Sequence, residues 1–392
     1  MYKVVLGDVC EKIGSGATPR GGSDVYLPQG EIALIRSQNV HNNGFKKDGL
    51  AFISEFHAKE LNNVAVEPND ILLNITGDSV ARCCQVPDDV LPARVNQHVA
   101  IIRPKKEKLD SRYLRYYLID STVQDYMLVL AGGGATRNAL TKGMIESFEI
   151  PVLPLPEQRA IAGILGALDD KIELNRRMNR TLESLARAVF RRWFVENEDV
   201  RNWRVGRLVD DFNLTMGQSP PGETYNEDGE GMPFFQGRAD FGFRFPANRV
   251  YCTAPTRFAE EGDTLVSVRA PVGDMNMATE KSAIGRGVAA VRHKSGSRSY
   301  TYYAMHMLQE DFFRFEGEGT VFGSINRSDF ENLKIAIPPT DKVKEFERLC
   351  FSIDQMIENN EKESRTLASL RDSLLPKLMR GEVRVKDVDK LS

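Results

Sequence analysis

The side chains of this 392-residue chain that are best placed for chemistry are of a kind that grips nucleic acid without transforming it. Arg, Lys, Asn and Gln on short turns can pair two-pronged with a base edge or a phosphate. They gather in two stretches. The first holds Arg36, Gln38, Asn39, Lys46, Lys47, Arg82, Asn96, Gln97, Thr136, Arg137 and Asn138; the second holds Gln236, Arg238, Arg269, Arg286, Thr320, Asn326 and Arg327. Any one of these reads as an ordinary solvated loop residue. Together they offer two sets of side chains able to grip a nucleic acid.

Catalytic patterns are weaker. Phe315-Glu316-Gly317-Glu318-Gly319 fits the FxGxG pattern with which adenine methyltransferases hold their cofactor. Such a loop should follow a strand and open a helix, so that backbone N–H groups meet the ligand. This one follows a helical stretch expected over residues 300–313, and no Asn/Asp-Pro-Pro-Tyr/Phe motif accompanies it to hold a flipped adenine. No Gly-Lys dipeptide is present for a P-loop, and Pro87-Asp88 lacks a following acid-x-Lys strand. The five histidines are scattered singly, and the five cysteines (Cys10, Cys83, Cys84, Cys252, Cys350) form no CxxC pair. The expectation is reduced thiols, no metal site, no cofactor and no catalytic residue in this chain.

A formal net charge of −3 gives no whole-molecule attraction for nucleic acid, so any such surface must be a local patch. The longest apolar run, residues 161–168, is too short to span a bilayer, and Met1-Tyr2-Lys3 opens no signal peptide. A cytoplasmic protein without a membrane partner is expected.

The elements that must position these residues are written twice. Gly16-Ala17-Thr18-Pro19 matches Gly217-Gln218-Ser219-Pro220, and Asp70-Ile71-Leu72-Leu73 matches Asp263-Thr264-Leu265-Val266. Asp169-x-x-Ile172-Glu173-x-Asn175 matches Asp354-x-x-Ile357-Glu358-x-Asn360. The offset shrinks from 201 to 185 residues along the unit and then holds without a gap, as a continuous helix demands, because one inserted residue rotates an apolar stripe by about 100°.

Each repeat is thus a variable mixed α/β head followed by a helical rod. Short strands are expected near Ile71–Ile75 and His98–Ile102, and one helix over Ser111–Leu130. In the first rod Ile161, Leu165, Leu168, Ile172, Asn175, Asn179, Leu182, Ala186, Val189 and Trp193 alternate by four and three; in the second Phe346, Cys350, Ile353, Ile357, Asn360, Ser364, Leu367, Arg371, Leu374 and Leu378 do the same. That is a coiled-coil seam. Asn175 and Asn360 lie near mid-rod, so an antiparallel pair would bring them together as a register-setting polar layer; Asn175 and Asn179 facing water at a break in the seam is the plainer alternative. Pro376 should kink or end the second rod. The basic group Arg187, Arg191, Arg192, Arg201, Arg204 and Arg207 could hold phosphates, a partner's acidic residues or water.

These residues resemble the specificity (S) subunit of type I restriction-modification systems over essentially the whole chain. The resemblance is carried by Ile150-Pro151-x-x-Pro154-Leu155-Pro156-Glu157-Gln158 leading into the first rod, by Phe190-x-x-Trp193-Phe194 closing it, and by Leu374-Leu375-Pro376-Lys377-Leu378 at the end of the second. The second copy departs at Pro338-Pro339-Thr340-Asp341, where the Glu-Gln pair is missing. The resemblance implies an α+β fold in which two tandem target recognition domains, 1–154 and 199–338, alternate with two long helices, 155–198 and 339–383, forming an antiparallel coiled coil with a pseudo-two-fold internal repeat, before a tail at 384–392. It further implies a non-catalytic subunit whose heads each read half of an asymmetric, interrupted target in double-stranded DNA while the helices set the gap. Its partners would be two methyltransferase (M) subunits, which bind S-adenosylmethionine, and, where the system has them, two restriction/translocase (R) subunits that use ATP and Mg. A related bipartite methylation system without the ATP-dependent motor is the alternative. Glu157, Gln158, Phe190, Trp193 and Phe194 are the expected partner-docking residues. Outside this family, the rivals are a self-contained DNA methyltransferase or nuclease and a scaffold that does not touch DNA.

Overall fold

The computed structural model describes residues 2–133, 138–316 and 323–385, the side chain of Tyr2 apart. Thr136, Arg137 and Thr320, with most of the two glycine-rich stretches, lie outside the described residues. The chain divides into two compact units, residues 1–172 with 366–392, and residues 173–365.

In the first unit a four-stranded antiparallel sheet has the order Cys10–Ser15, Val99–Pro104, Ile71–Asn74, Cys83–Gln85. A second sheet runs Ala51–Ile53, Ile32–Ile35, Ala93–Val95, Ala65–Val66, with Ile32–Ile35 and Ala93–Val95 parallel. Side chains alternate across a strand, and Val99–Pro104 uses both faces. Val99 and Ile101 join Leu34, Ile35 and Val95 in one core, whereas Ala100 and Ile102 pack into another with Tyr113, Leu114 and Ile161. Burial on both faces explains why the stretch 99–102 is a continuous apolar run instead of alternating.

The second unit repeats the plan. One sheet has the order Phe212–Met216, Val288–His293, Thr264–Ser267, Met275–Met277; the other is five-stranded, and in it Met232–Phe235 lies parallel to Ser282–Ile284.

Two long helices, Leu155–Phe194 and Thr340–Met379, each of 40 residues, are about 60 Å long at 1.5 Å per residue. Every predicted seam position on both is buried or half-buried. Within the second unit Asn175 donates to Glu363 at 2.8 Å and Ser364 at 3.2 Å, while Asn179 meets Glu361 and accepts from Asn360 at 2.8 Å. Rising numbers on one helix meet falling numbers on the other, so the pairing is antiparallel. Asn175 and Asn179 are fully buried, which removes the water-facing alternative.

One expectation needs correction. The single helix expected over residues 111–130 is two, Ser111–Leu118 and Ser121–Gly132, because the Asp120 carboxylate caps the second through Thr122 N–H. Pro376 lies in the last turn of the second long helix, which ends at Met379. No described helix is long and apolar enough to cross a membrane.

Candidate nucleic-acid interface

Arg36, Asn96 and Gln97 of the first head and Gln236, Arg269 and Arg286 of the second lie on turns next to strands, and the two heads build those turns with the same backbone bonds. In the first, Gly16 N–H donates to Val99 O, Ala17 to Val95 O, Asn96 to Ile35 O and Ile75 to His98 O. In the second, Gly217 donates to Val288 O, Gln218 to Ile284 O, Gly285 to Phe235 O and Val268 to Gly287 O. This correspondence pairs Thr18 with Ser219, Arg36 with Gln236, Thr76 with Arg269 and Gln97 with Arg286. Four turns therefore converge on one mouth in each head.

Glycine permits the convergence. A Cβ on Gly16 would stand 2.1 Å from Val95 O, and one on Gly217 the same distance from Gly285 O. No side chain fits there, which is the physical content of the repeated Gly-x-Thr/Ser-Pro motif.

In the second head Gln236, Arg238, Arg269 and Arg286 all line one cavity of about 530 Å³, together with Ser219 and Tyr225. Arg238 is paired to Asp274 at 3.0 Å. Among the described residues no carboxylate lies within ion-pairing distance of Arg269 or Arg286, and both are exposed.

The first mouth is mostly uncharged. Thr18 donates to Gln97 Oε1, Gln97 Nε2 lies 3.0 Å from His98 Nε2, and His98 Nδ1 lies 2.6 Å from Thr76 Oγ1. With Gln97 as donor, Nδ1 carries the imidazole proton, and the Thr76 hydroxyl proton is left for a ligand. Arg36 is held by Gly49 O at 2.5 Å and lies over the Tyr26 ring. Thr18, Thr76, His98 and Ser219 stand at the same turns and were not among the predicted contact residues; aligning the two repeats turn by turn picks them out.

Other predicted contact residues have partners within the protein. Asn39 is fully buried, accepts from Arg36 N–H and donates to Lys46 O; Asp240 does the same for Gln236 N–H in the second head, so both shape a turn. Asn96 is buried and accepts from His98 N–H. Asn326 caps the helix Arg327–Glu331, and Arg327 pairs with Glu331 at 2.7 Å. Lys47 pairs with Asp89. Gln38, Lys46, Arg82 and Asn138 are exposed. A larger cavity of about 630 Å³ in the first unit is lined by a different set, including Arg103 and Arg112, both already paired with carboxylates.

The expected docking residues also turn inward. Gln158 is fully buried, accepts from Asp110 N–H and donates to Leu153 O and Lys108 O, so it ties the first helix to its own head. Phe190 and Phe194 pack on Tyr300 and Phe346, and Trp193 on Phe346. Glu157 alone of the five is exposed. Most of the basic group is satisfied locally: Arg187 by Glu183, Arg191 by Glu196, Arg204 and Arg207 by Asp210.

Each head is clamped to the helices by a repeated aspartate. In the first unit Asp169 accepts from Arg115, Tyr116 and Arg371; burial would raise its pKa, but Arg115 and the hydrogen bonds outweigh that and hold the carboxyl below its usual range. In the second, Asp354 meets Arg244 at 3.0 Å and Ser299 at 2.6 Å, and Arg244 also reaches Glu183 and Tyr303. Arg244 is fully buried over the Tyr302 ring. All five cysteines are buried and free, and burial pushes the Cys84 and Cys350 thiols up to about 12, which makes them unreactive. No group of three or more His, Cys, Asp or Glu among the described residues is placed to hold a metal ion.

Comparison with known proteins agrees with this architecture. The family model for the type I restriction modification DNA specificity domain matches residues 1–184 and 201–367. The chain is 27% identical over 404 residues to a Methanocaldococcus jannaschii protein assigned as the MjaX type I restriction enzyme specificity subunit, covering 97% of this chain and 93% of that one. It is 20% identical to the Haemophilus influenzae HindI specificity subunit, covering 90% and 94%. The crystal structure of the type I S subunit from M. genitalium shares the fold, with a TM-score of 0.62 at 17% identity over 96% of this chain and 95% of that one. The chain therefore belongs to the family of type I restriction-modification DNA specificity domains and carries that domain twice.

Proposed function

We propose that this chain is the non-catalytic specificity subunit of a type I restriction-modification complex, in which each head reads one half of an asymmetric, interrupted DNA target. The observation that carries the reading is the pair of mouths: identical backbone bonds present different side chains, Arg36, Thr76 and Gln97 in one and Gln236, Arg269 and Arg286 in the other. One scaffold with two sets of tips suits two different half-sites. The paired helices fix the number of base pairs between the halves. Two methyltransferase subunits supply S-adenosylmethionine-dependent adenine methylation, and restriction/translocase subunits, where the system includes them, supply ATP- and Mg-dependent cleavage.

The test is sequencing of methylated DNA from cells that express this chain with its methyltransferase partner. One split sequence with unlike halves is expected. Methylation of a continuous sequence, or of none, overturns the reading, as does methyl transfer by the isolated chain.

A further inference from the structure

Resting on that reading, we infer that Arg269 and Arg286 specify guanine, so that the half-site read by the second head contains one or two G·C pairs that depend on these two side chains. Both line the same cavity as Gln236 and are exposed, and neither has a carboxylate partner among the described residues. Arg238, on the same rim, is tied to Asp274 and is less free to turn. A guanidinium with open donors matches the O6 and N7 acceptors that only guanine presents side by side in the major groove.

The same positions in the first head argue against a shared phosphate duty. Arg269 corresponds to Thr76 and Arg286 to Gln97, both neutral and joined through His98. A contact to the DNA backbone is needed equally by both heads and carries no sequence information. A charge present at two positions of one mouth and absent from the same two positions of its twin fits reading of a particular base. The turns that carry it are fixed in both heads, Gly285 by Phe235 O at 2.8 Å and Asn96 by Ile35 O at 3.0 Å, so only the tips differ.

The experiment places the first head's residues in the second head, R269T and R286Q, each in the full chain assembled with its methyltransferase partner. Methylated-DNA sequencing is combined with binding to duplexes carrying single-base changes. Wild type is read first: without a split target the underlying reading fails, and the present inference falls with it for a separate reason. Given a split target, each variant should lose about tenfold or more of its preference for guanine at one position. The other half-site should stay unchanged, which also certifies that the variant has folded and assembled. Three results overturn the inference: a second half-site without any G·C pair, variants with unaltered sequence preference, or uniform weakening on all sequences with a salt slope reduced by about 0.9 per arginine, the mark of a phosphate contact.

Discussion

Single residues explain why the heads fold as they do. Gly217→Ala would drive a Cβ into a carbonyl oxygen, whereas Gly14 has nothing within 4 Å of such an atom. Thermal unfolding should show the first change costing roughly 1–3 kcal/mol and Gly14→Ala almost nothing; equal effects would remove the packing argument. His306 is packed against Tyr302 and lies 3.4 Å from Arg187, and burial, with the charges of Arg187 and Arg244, lowers its pKa to about 3. The unfolded chain takes up this proton near pH 6.5 and the folded chain does not, so stability is retained above pH 6.5 and lost as pH falls from there toward 3. The slope is at most about 1.4 kcal/mol per pH unit. Urea titrations between pH 7 and 5 should show it in the wild type and show it removed in His306→Gln. At this scale the sequence was an uneven guide. The exposed arginines of the second mouth stood where expected, but Asn39, Asn96 and Asn326 proved to be turn and cap residues, because an amide suits a backbone partner as well as a base and sequence alone does not say which is nearer.

Among the elements, the long helices were the most legible. Their seam needs only a local periodicity, and every position of it lies inward. The strands of the heads were harder to place, since Ile32–Ile35 pairs with Ala93–Val95 across some 60 residues and no local pattern announces such a partner. The helix break at Asp120 was readable in principle from its acid followed by Ser121 and Thr122. Within the second unit the polar layer makes its own prediction. Asn360→Leu leaves Asn179 Oδ1 buried without its donor and should cost about 1–3 kcal/mol, while adding Asn179→Leu should recover part of that loss. A double-mutant cycle in urea measures the coupling; strict additivity would mean that the bond at 2.8 Å contributes little.

On the scale of the whole chain, the repeat in the sequence foretold that a mixed head and a long helix occur twice. What it left out was the meeting of four turns in one mouth, which depends on backbone bonds between distant residues. If the helices set the gap, inserting seven residues in each, after Ile172 and after Arg365, keeps the heptad phase and adds about 10.5 Å, equivalent to about three base pairs at 3.4 Å each. Methylated-DNA sequencing should then report both half-sites unchanged and the interval about three base pairs longer. An unchanged interval would separate the helices from that role. Replacing residues 199–338 with the corresponding part of a relative should alter one half only.

The aspartate clamps bear on how such chains exchange parts. Arg371 reaches Asp169 from the second helix, whereas the matching place on the first helix is held by Ala186; Glu183 reaches Arg244 from the first helix, and its counterpart on the second is Ala368. Two copies of either half, associated as twins, would each be missing one member of the lock. A head grafted after Phe194 without an arginine in the place of Arg244 would leave Glu183 and Asp354 facing each other without their shared cation.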